Sequence, residues 1–208
     1  MTSWRSAIAT SWRLLGLLLL AGLLSACSEH PGERLSLLPV GNVPAAELRA
    51  LRSELQQFYG VRAAIRADRV TTQSGPGQVD ADALLTALES LPTVPGERLL
   101  AVCAGDGGQR GMNFVLGLAR RRGRCGVVFC QRLRQGVDAE CFARRLAVEA
   151  HHELGHVYGL GHCDVPGCAM QFSAMLTEVD RKRPSYCEHC RELLGRWRAA
   201  SKRARSSA

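Results

Sequence analysis

The 208-residue sequence lacks the features of disordered, repetitive or miniature disulfide-stabilised proteins. Charged residues make up 22% of the chain and hydrophobic residues 46%, so it does not have the charge excess of a disordered chain. Nine cysteines are too few for a miniature disulfide scaffold. Internal repeats and low-complexity segments are also absent. These absences predict one compact globular core.

The apolar run near the N-terminus is too short to span a bilayer comfortably. It extends from Leu14 to Leu24 ("LLGLLLLAGLL") and follows Arg5 and Arg13. This length and these flanking charges are typical of a signal peptide. The sequence therefore predicts an export signal over residues 1–26.

The predicted signal ends in "LSAC", which resembles the lipobox of bacterial lipoproteins. This resemblance implies that Cys27 is lipidated and becomes the mature N-terminus, and that the protein is anchored to a membrane of the cell envelope. Ser28 implies outer-membrane sorting in a Gram-negative host. The alternative is an ordinary signal peptide with an incidental cysteine. Residues 27–40 are predicted to be a tether.

Basic residues are concentrated at the C-terminus. Removal of residues 1–26 would lower the net charge from +8 to +6, because Arg5 and Arg13 are lost and no acidic residue is. The final segment, "RELLGRWRAASKRARSSA", has six basic residues and one acidic residue. An exported protein seldom meets nucleic acid, so residues 196–208 are expected to be a basic tail that is solvated or contacts anionic lipid.

Hydrophobic spacing predicts a mixed α/β layer structure. Helices are predicted at residues 44–58 and from Asp82 to Leu91, with a loop at residues 71–78 between them. Strands are predicted from Leu35 to Val40, from Val61 to Arg66, and at residues 98–104 ("RLLAVCA"), 113–119 ("NFVLGLA") and 126–133 ("GVVFCQRL"). A further helix is predicted from an N-cap at Asp138 to about Tyr158, with Gly159 as its left-handed stop.

That last helix carries residues spaced for metal chemistry. His152 and His156 are one turn apart on the same helical face, so both rings can bind one metal ion. Glu153 beside them can reach a water at the metal without binding the metal, as a general base must. Gly159 lets the chain reverse and bring His162 back as a third ligand, with the fourth position left open. His151 points away by about 100° and is expected to pack or hydrogen-bond.

These residues resemble the metzincin zinc metallopeptidases, and specifically the archaemetzincin family. The similarity covers residues 138–190 and extends loosely to "NFVLGLA". The matching positions, in chain order, are His152, Glu153, His156, Gly159, His162, Cys163, Cys168, Met170, Cys187 and Cys190. The resemblance implies a mixed twisted sheet packed against the active-site helix and a zinc metallopeptidase domain over residues 41–195.

The resemblance also implies a methionine turn and a second metal. Met170 would form an apolar floor beneath the catalytic zinc. The four cysteines at 163, 168, 187 and 190 would bind a structural zinc that stabilises a small C-terminal lobe, which gives two Zn²⁺ ions per chain. In an oxidising compartment the same four could instead form two disulfides. For Cys103, Cys125, Cys130 and Cys141, disulfides and small buried side chains remain equally open.

The sequence thus predicts a membrane-anchored zinc peptidase at the cell envelope with a peptide or protein substrate and no nucleic-acid partner. Tyr186 is a minor candidate for oxyanion stabilisation. The alternatives are a non-catalytic zinc-binding lipoprotein module and a basic adaptor that binds anionic polymers through its tail. Substrate preference, endopeptidase or aminopeptidase action, and oligomeric state are left open.

Overall fold

The computed structural model describes residues 32–68, 70 and 77–206. The predicted signal peptide, Cys27 and most of the predicted loop at residues 71–78 lie outside these residues. In the part of the chain that the structure describes, no helix combines the length and apolarity that crossing a membrane requires.

A twisted mixed sheet forms the centre of the fold. Its five strands run in the order β2-β1-β4-β8-β7, and all neighbouring pairs are parallel except β7 with β8. The strands are β1 (Arg34–Val40), β2 (Arg62–Ile65), β4 (Glu97–Cys103), β7 (Gly117–Ala119) and β8 (Cys125–Phe129). A smaller sheet contains β3 (Val79–Asp80), β5 (Gly107–Gln109) and β6 (Met112–Val115) in the order β3-β5-β6.

Helices cover both faces of the large sheet. The helices are α1 (Ala45–Tyr59), α2 (Ala81–Glu89), α3 (Cys130–Leu133), α4 (Ala139–Val157), α5 (Leu176–Val179) and α6 (Glu188–Ser206). One hydrophobic core packs α1 and α4 against the sheet, and a second core packs α2 against it. The predicted α/β class, with a mixed sheet against the active-site helix, is confirmed.

Helix α4 begins and ends where the sequence predicted. The Asp138 side chain accepts a hydrogen bond from the backbone N–H of Cys141 at 2.8 Å and so caps the first turn. Gly159, just past the end, has a φ of 97°, which a residue with a side chain rarely adopts. The chain therefore leaves the helix sharply and returns toward the face that carries His152 and His156.

Two predicted strands differ from the structure. Residues 126–133 were expected to form one strand, but it ends at Phe129 and α3 follows. Phe129, Cys130 and Leu133 are all buried, so hydrophobicity alone could not mark the boundary. The stretch "NFVLGLA" is divided at Leu116, because β6 pairs with β5 in the small sheet and β7 pairs with β8 in the large one.

Regular secondary structure extends past both ends of residues 41–195. A tether was expected at residues 27–40, but residues 34–40 form β1, which lies between β2 and β4 and has mostly buried side chains. A basic tail was expected at residues 196–208, but residues 196–206 are part of α6, which extends to Ser206. Trp197 and Arg198 in this part of α6 are half-buried against the rest of the fold.

Candidate metal centre

Three histidines converge at the end of α4. The Nε2 atoms of His152 and His156 lie 3.1 Å apart, and the possible ligand nitrogens of these two residues and His162 all lie within 4.8 Å of one another. Two nitrogens bound tetrahedrally to one zinc at the usual bond length are separated by about 3.3 Å. The spacing therefore suits a single zinc ion.

Backbone carbonyls fix the orientation of the first two rings. His152 Nδ1 donates to the carbonyl of Ala169 at 2.8 Å, and His156 Nδ1 donates to that of Leu160 at 3.0 Å. These bonds leave both Nε2 atoms free as ligands, the arrangement expected of metal-binding histidines. Burial, together with the nearby His156, lowers the pKa of His152 to about 3, so its ring is neutral as a ligand must be.

Glu153 lies in a closely fitted position beside the histidines. It is 3% exposed, and a Cβ atom added to Gly117 of β7 would come within 2.3 Å of its Oε1. Glycine at that position lets the edge strand approach the carboxylate. Burial raises the pKa of Glu153 well above its usual range, and the charge of Glu149 raises it further.

Met170 packs closely against α4. Its side chain is fully buried, and a Cβ atom added to Gly155 would lie 2.2 Å from its Sδ. The Met170 carbonyl accepts a hydrogen bond from the Cys163 N–H at 3.0 Å. This bond joins the methionine turn to the segment that carries His162.

The three histidines and Glu153 open into a cleft of ≈ 480 Å³. One wall is formed by β6 and β7, and the other contains Phe172 and its neighbours after the methionine turn. The ring centroid of Phe172 lies 5.4 Å from that of His162. The cleft therefore runs along the edge strand β7, where an extended polypeptide could lie.

A buried charge pair in this cleft was missed from the sequence. Lys182 Nζ lies 3.6 Å from Glu149 Oε1 and donates to the Gln171 carbonyl at 2.7 Å, and both charged side chains are almost fully buried. Burial raises the pKa of Glu149, whereas Lys182 lowers it. Glu149 could have been noticed three residues before His152 on the same helical face, but no sequence signal indicated Lys182.

Arg145 fixes the segment that carries Lys182. Its guanidinium forms a bidentate ion pair with Asp180, at 2.8 and 2.7 Å, and donates to the carbonyls of Leu133 and Gln135. Arg145 holds the pKa of the Asp180 carboxyl below its usual range. Helix α4 is thereby joined to the chain that forms the cleft wall.

The four distal cysteines form a second cluster beside the first. Their sulfurs all lie within 4.8 Å of one another, and the Sγ atoms of Cys163 and Cys187 are 3.7 Å apart. Two sulfurs on a tetrahedral zinc are separated by about 3.8 Å. The backbone N–H groups of Val165 and Cys187 donate to Cys163 Sγ and Cys168 Sγ at 3.5 and 3.3 Å, which would stabilise thiolate charge.

The other cysteines lie elsewhere. Cys103 and Cys125 are buried in strands of the large sheet and Cys130 is buried at the start of α3, and burial raises the pKa of each thiol. Cys141 is half-buried on α4. No disulfide joins any of the eight cysteines within the described ranges.

His151 and Tyr186 have internal roles. His151 is fully buried among Phe58, Tyr59 and Tyr186, in agreement with the prediction that it packs rather than binds metal. Tyr186 is 2% exposed, and its hydroxyl donates to the His151 carbonyl at 2.6 Å and lies 2.6 Å from the hydroxyl of Tyr59. Its hydroxyl is thus engaged inside the core, so the suggestion that Tyr186 stabilises an oxyanion is wrong.

Zinc metallopeptidases of the metzincin class share this combination of an active-site helix, a third histidine after a glycine turn, and a buried methionine below. Comparison with known proteins identifies the family. The family model described as Peptidase family M54 matches residues 47–196. The chain therefore belongs to peptidase family M54, the archaemetzincins, and is a zinc metallopeptidase that acts on peptides or proteins.

Individual relatives agree with this assignment. Archaemetzincin from Methanopyrus kandleri is 46% identical over 122 residues, which cover 58% of this chain and 67% of the relative. Archaemetzincin from Halobacterium salinarum is 33% identical over 169 residues, which cover 76% of this chain and 96% of the relative. The crystal structure of the M. kandleri protein matches with a TM-score of 0.71 and 34% identity, covering 81% of this chain and 96% of that one. The structure of the Archaeoglobus fulgidus archaemetzincin in complex with malonate matches with a TM-score of 0.67 and 28% identity. The match covers 77% of this chain and 99% of that one.

Proposed function

We propose that this archaemetzincin hydrolyses peptide bonds at the cell envelope, with His152, His156 and His162 as zinc ligands and Glu153 as the general base. The proposal is supported mainly by the position of Glu153. Its carboxylate is buried in the cleft beside three imidazoles that are oriented for one metal ion. A site that only stored zinc would not need this carboxylate.

Zinc bound there would polarise the substrate carbonyl and make an attacking water more acidic. Glu153 takes the proton from that water and returns it to the leaving amine. The close approach of Gly117 and the burial of Glu153 exclude bulk water from the carboxylate. The edge strand β7 would orient the substrate backbone by strand-like pairing.

A second zinc is proposed at the cysteine cluster. The four sulfurs would bind it as a closed tetrathiolate site with no position for substrate, so its contribution is structural. It would join the turn after His162 to the start of α6, since two ligands come from each segment. The expected content is therefore two zinc ions per chain.

The catalytic assignment is tested by comparing Glu153→Gln with His156→Ala. Glu153→Gln retains all three histidines, so it should keep both zinc ions yet lower hydrolysis of a peptide library by about 10²- to 10⁴-fold. His156→Ala should lose one zinc ion as well as activity. Metal analysis and cleavage rates measured on the same preparations separate the two effects. Undiminished hydrolysis by Glu153→Gln would contradict the mechanism, and a parent that binds zinc but cleaves no peptide would favour a non-catalytic module.

The envelope location is a separate part of the proposal, supported by the signal-like residues 1–26 and the lipobox-like "LSAC". Cys27→Ala should abolish labelling of the protein with a radioactive fatty acid and remove it from its normal membrane fraction. Unchanged labelling and fractionation would rule out lipidation at Cys27.

A further inference from the structure

Glu149 and Lys182, which we call the buried pair, line the same cleft as Glu153 and the three histidines. Each side chain is only 3% exposed, yet both contribute to the lining of the cleft. Glu149 belongs to α4, whereas Lys182 belongs to the chain after the methionine turn. The buried pair therefore lies where the active-site helix meets the wall that follows this turn.

The hydrogen bonding of the buried pair is incomplete. Lys182 Nζ donates to the Gln171 carbonyl at 2.7 Å, but it lies 3.6 Å from Glu149 Oε1, which is too long for a hydrogen bond. Within the described residues, Glu149 Oε1 is buried without a hydrogen-bond partner. An ammonium group has three N–H donors, so Lys182 also has donors that no described acceptor takes up. Because buried polar groups are normally hydrogen-bonded, these adjacent groups indicate a ligand that completes their bonds.

The buried pair is close to the proposed general base. Glu149 and Glu153 are four residues apart on α4, so they share a helical face and are separated by about 6 Å along the helix axis. In the proposed mechanism Glu153 returns a proton to the leaving amine, so the substrate residue that carries this amine lies against Glu153. That residue, which follows the scissile bond, is therefore the nearest one to the buried pair.

Contacts outside the cleft hold Lys182 in place. The bidentate ion pair of Arg145 with Asp180 fixes its segment, and the Gln171 carbonyl holds its ammonium group. A substrate group would thus meet a donor and an acceptor that are already positioned. Such preorganisation reduces the entropy cost of binding.

The opposite charges of the buried pair restrict the side chains that fit. A carboxylate could accept from Lys182 but would be repelled by Glu149, and a basic group would be repelled by Lys182. An apolar side chain would leave the buried donors and acceptor without hydrogen bonds. A carboxamide is neutral and carries an acceptor and a donor on neighbouring atoms, so it can bond to both members at once.

We propose that the buried pair selects substrates with glutamine or asparagine directly after the scissile bond. This inference rests on the proposed catalytic role of Glu153, which places the leaving amine. The side-chain oxygen of the substrate accepts a hydrogen bond from Lys182 Nζ, and its NH₂ group donates to Glu149 Oε1. The buried pair then contributes to substrate selection as well as to stability.

Peptide cleavage measures this selection. The zinc-loaded parent is given a peptide mixture randomised at every position, and mass spectrometry identifies the cleaved bonds. One cleaved sequence is then made with glutamine, glutamate, lysine or methionine after the scissile bond, since these side chains have similar lengths. We expect kcat/KM for the glutamine peptide to exceed the other three values by about 100-fold, because a site that hydrogen-bonds a substrate group rejects analogues that lack it. Equal values, or a preference for glutamate, lysine or methionine, would contradict the proposal.

The double variant Glu149→Leu, Lys182→Met replaces the buried pair by apolar side chains of similar volume, which proteins often tolerate. It should cleave the methionine peptide faster than the glutamine peptide. The matched control Glu47→Leu, Arg134→Met makes the same substitutions in an ion pair outside the cleft lining and should keep the preference for glutamine. A buried pair with only a structural role would alter stability or total rate but leave the preference unchanged in the double variant, which would overturn the proposal.

The single variant Glu149→Gln provides a second test if the double variant does not fold. It removes the negative charge that repels an acidic substrate side chain, so the glutamate peptide should approach the glutamine peptide in kcat/KM. An unchanged ratio between these two peptides would show that Glu149 does not contact the substrate side chain.

Binding separates this inference from the proposed mechanism. Zinc-loaded Glu153→Gln keeps the buried pair, and the peptides that it retains from the same random mixture can be sequenced. Enrichment of glutamine or asparagine that disappears when Glu149→Leu and Lys182→Met are added would support selection by the buried pair, even if Glu153→Gln still hydrolysed peptides and so contradicted the mechanism. Retention without such enrichment would overturn the selection and leave the mechanism intact.

Discussion

At the scale of single residues, the pair formed by Glu149 and Lys182 is the least expected part of the site. Burial of a charge is costly unless a partner compensates it, and the two side chains here compensate each other at 3.6 Å. Glu149 Oε1 has no hydrogen-bond partner, so Lys182 supplies its main compensation. Lys182 in turn links α4 to the chain after the methionine turn.

Lys182→Met should therefore destabilise the protein strongly at neutral pH. Removal of one member of a buried ion pair typically costs about 3–5 kcal/mol, because the remaining charge is uncompensated. Loss of Lys182 should raise the pKa of Glu149 further above that of an unfolded glutamate. A raised pKa favours the protonated form of Glu149 in the folded state. The loss of unfolding free energy should therefore be greatest at pH values above the pKa of Glu149 in the folded variant, and it should shrink as the pH falls through that pKa.

Denaturant unfolding at neutral and mildly acidic pH measures this deficit. The control is Arg49→Met, which alters an exposed basic residue on α1 and should change stability by no more than about 0.5 kcal/mol. Lys182 also lowers the pKa of the three histidine ligands, so the double variant Lys182→Met, Glu149→Gln is measured beside Lys182→Met. The part of the loss that Glu149→Gln removes reports Glu149. A deficit in Lys182→Met that stayed constant with pH would show that Glu149 is not its origin.

At the scale of elements, the sequence predicted the ends of helices and strands most reliably where a local chemical signal marks them. Asp138 and Gly159 bound α4 because one caps its start and the other permits the reversal, and both effects are local. The end of β8 had no such signal, since the apolar residues continue into α3. Lys182 was not predictable, because its position depends on the distant ion pair between Arg145 and Asp180.

The contact between α4 and the methionine turn depends on Gly155. A Cβ atom there would lie 2.2 Å from Met170 Sδ, so Gly155→Ala must displace the methionine or the helix. We expect a loss of about 1–3 kcal/mol in unfolding free energy and weaker zinc binding by the histidines. Thermal unfolding and competition with a zinc chelator measure the two effects.

Gly195→Ala is the matched control for this change. Gly195 is also within a helix, α6, but a Cβ atom there would meet nothing within 4 Å. Alanine should therefore raise stability there by up to about 1 kcal/mol through helix propensity alone. If both substitutions stabilised the protein equally, close packing of Met170 against α4 would not constrain the site.

At the scale of the whole molecule, the cysteine cluster links the active-site region to the C-terminal helix. Cys163 follows His162 directly, and Cys187 and Cys190 lie at the start of α6. Trp197 of α6 also packs against Gly159, at the end of α4. A metal at the cysteines would therefore hold α6 against the segment that positions the third histidine.

Cys187→Ser should release one of two zinc ions and loosen α6 while the histidine site keeps its metal. Four thiolates on zinc should resist alkylation until a strong chelator is added, and then react without any reductant. The control Cys141→Ser changes a half-buried cysteine outside the cluster and should retain two zinc ions. Metal analysis and mass spectrometry of the alkylated, non-reduced chain follow both outcomes. If the four cysteines are instead joined in pairs, the parent will contain one zinc ion and its distal cysteines will resist alkylation until they are reduced. That result would replace the structural zinc by two disulfides, and the interpretation of the histidine site would be unchanged.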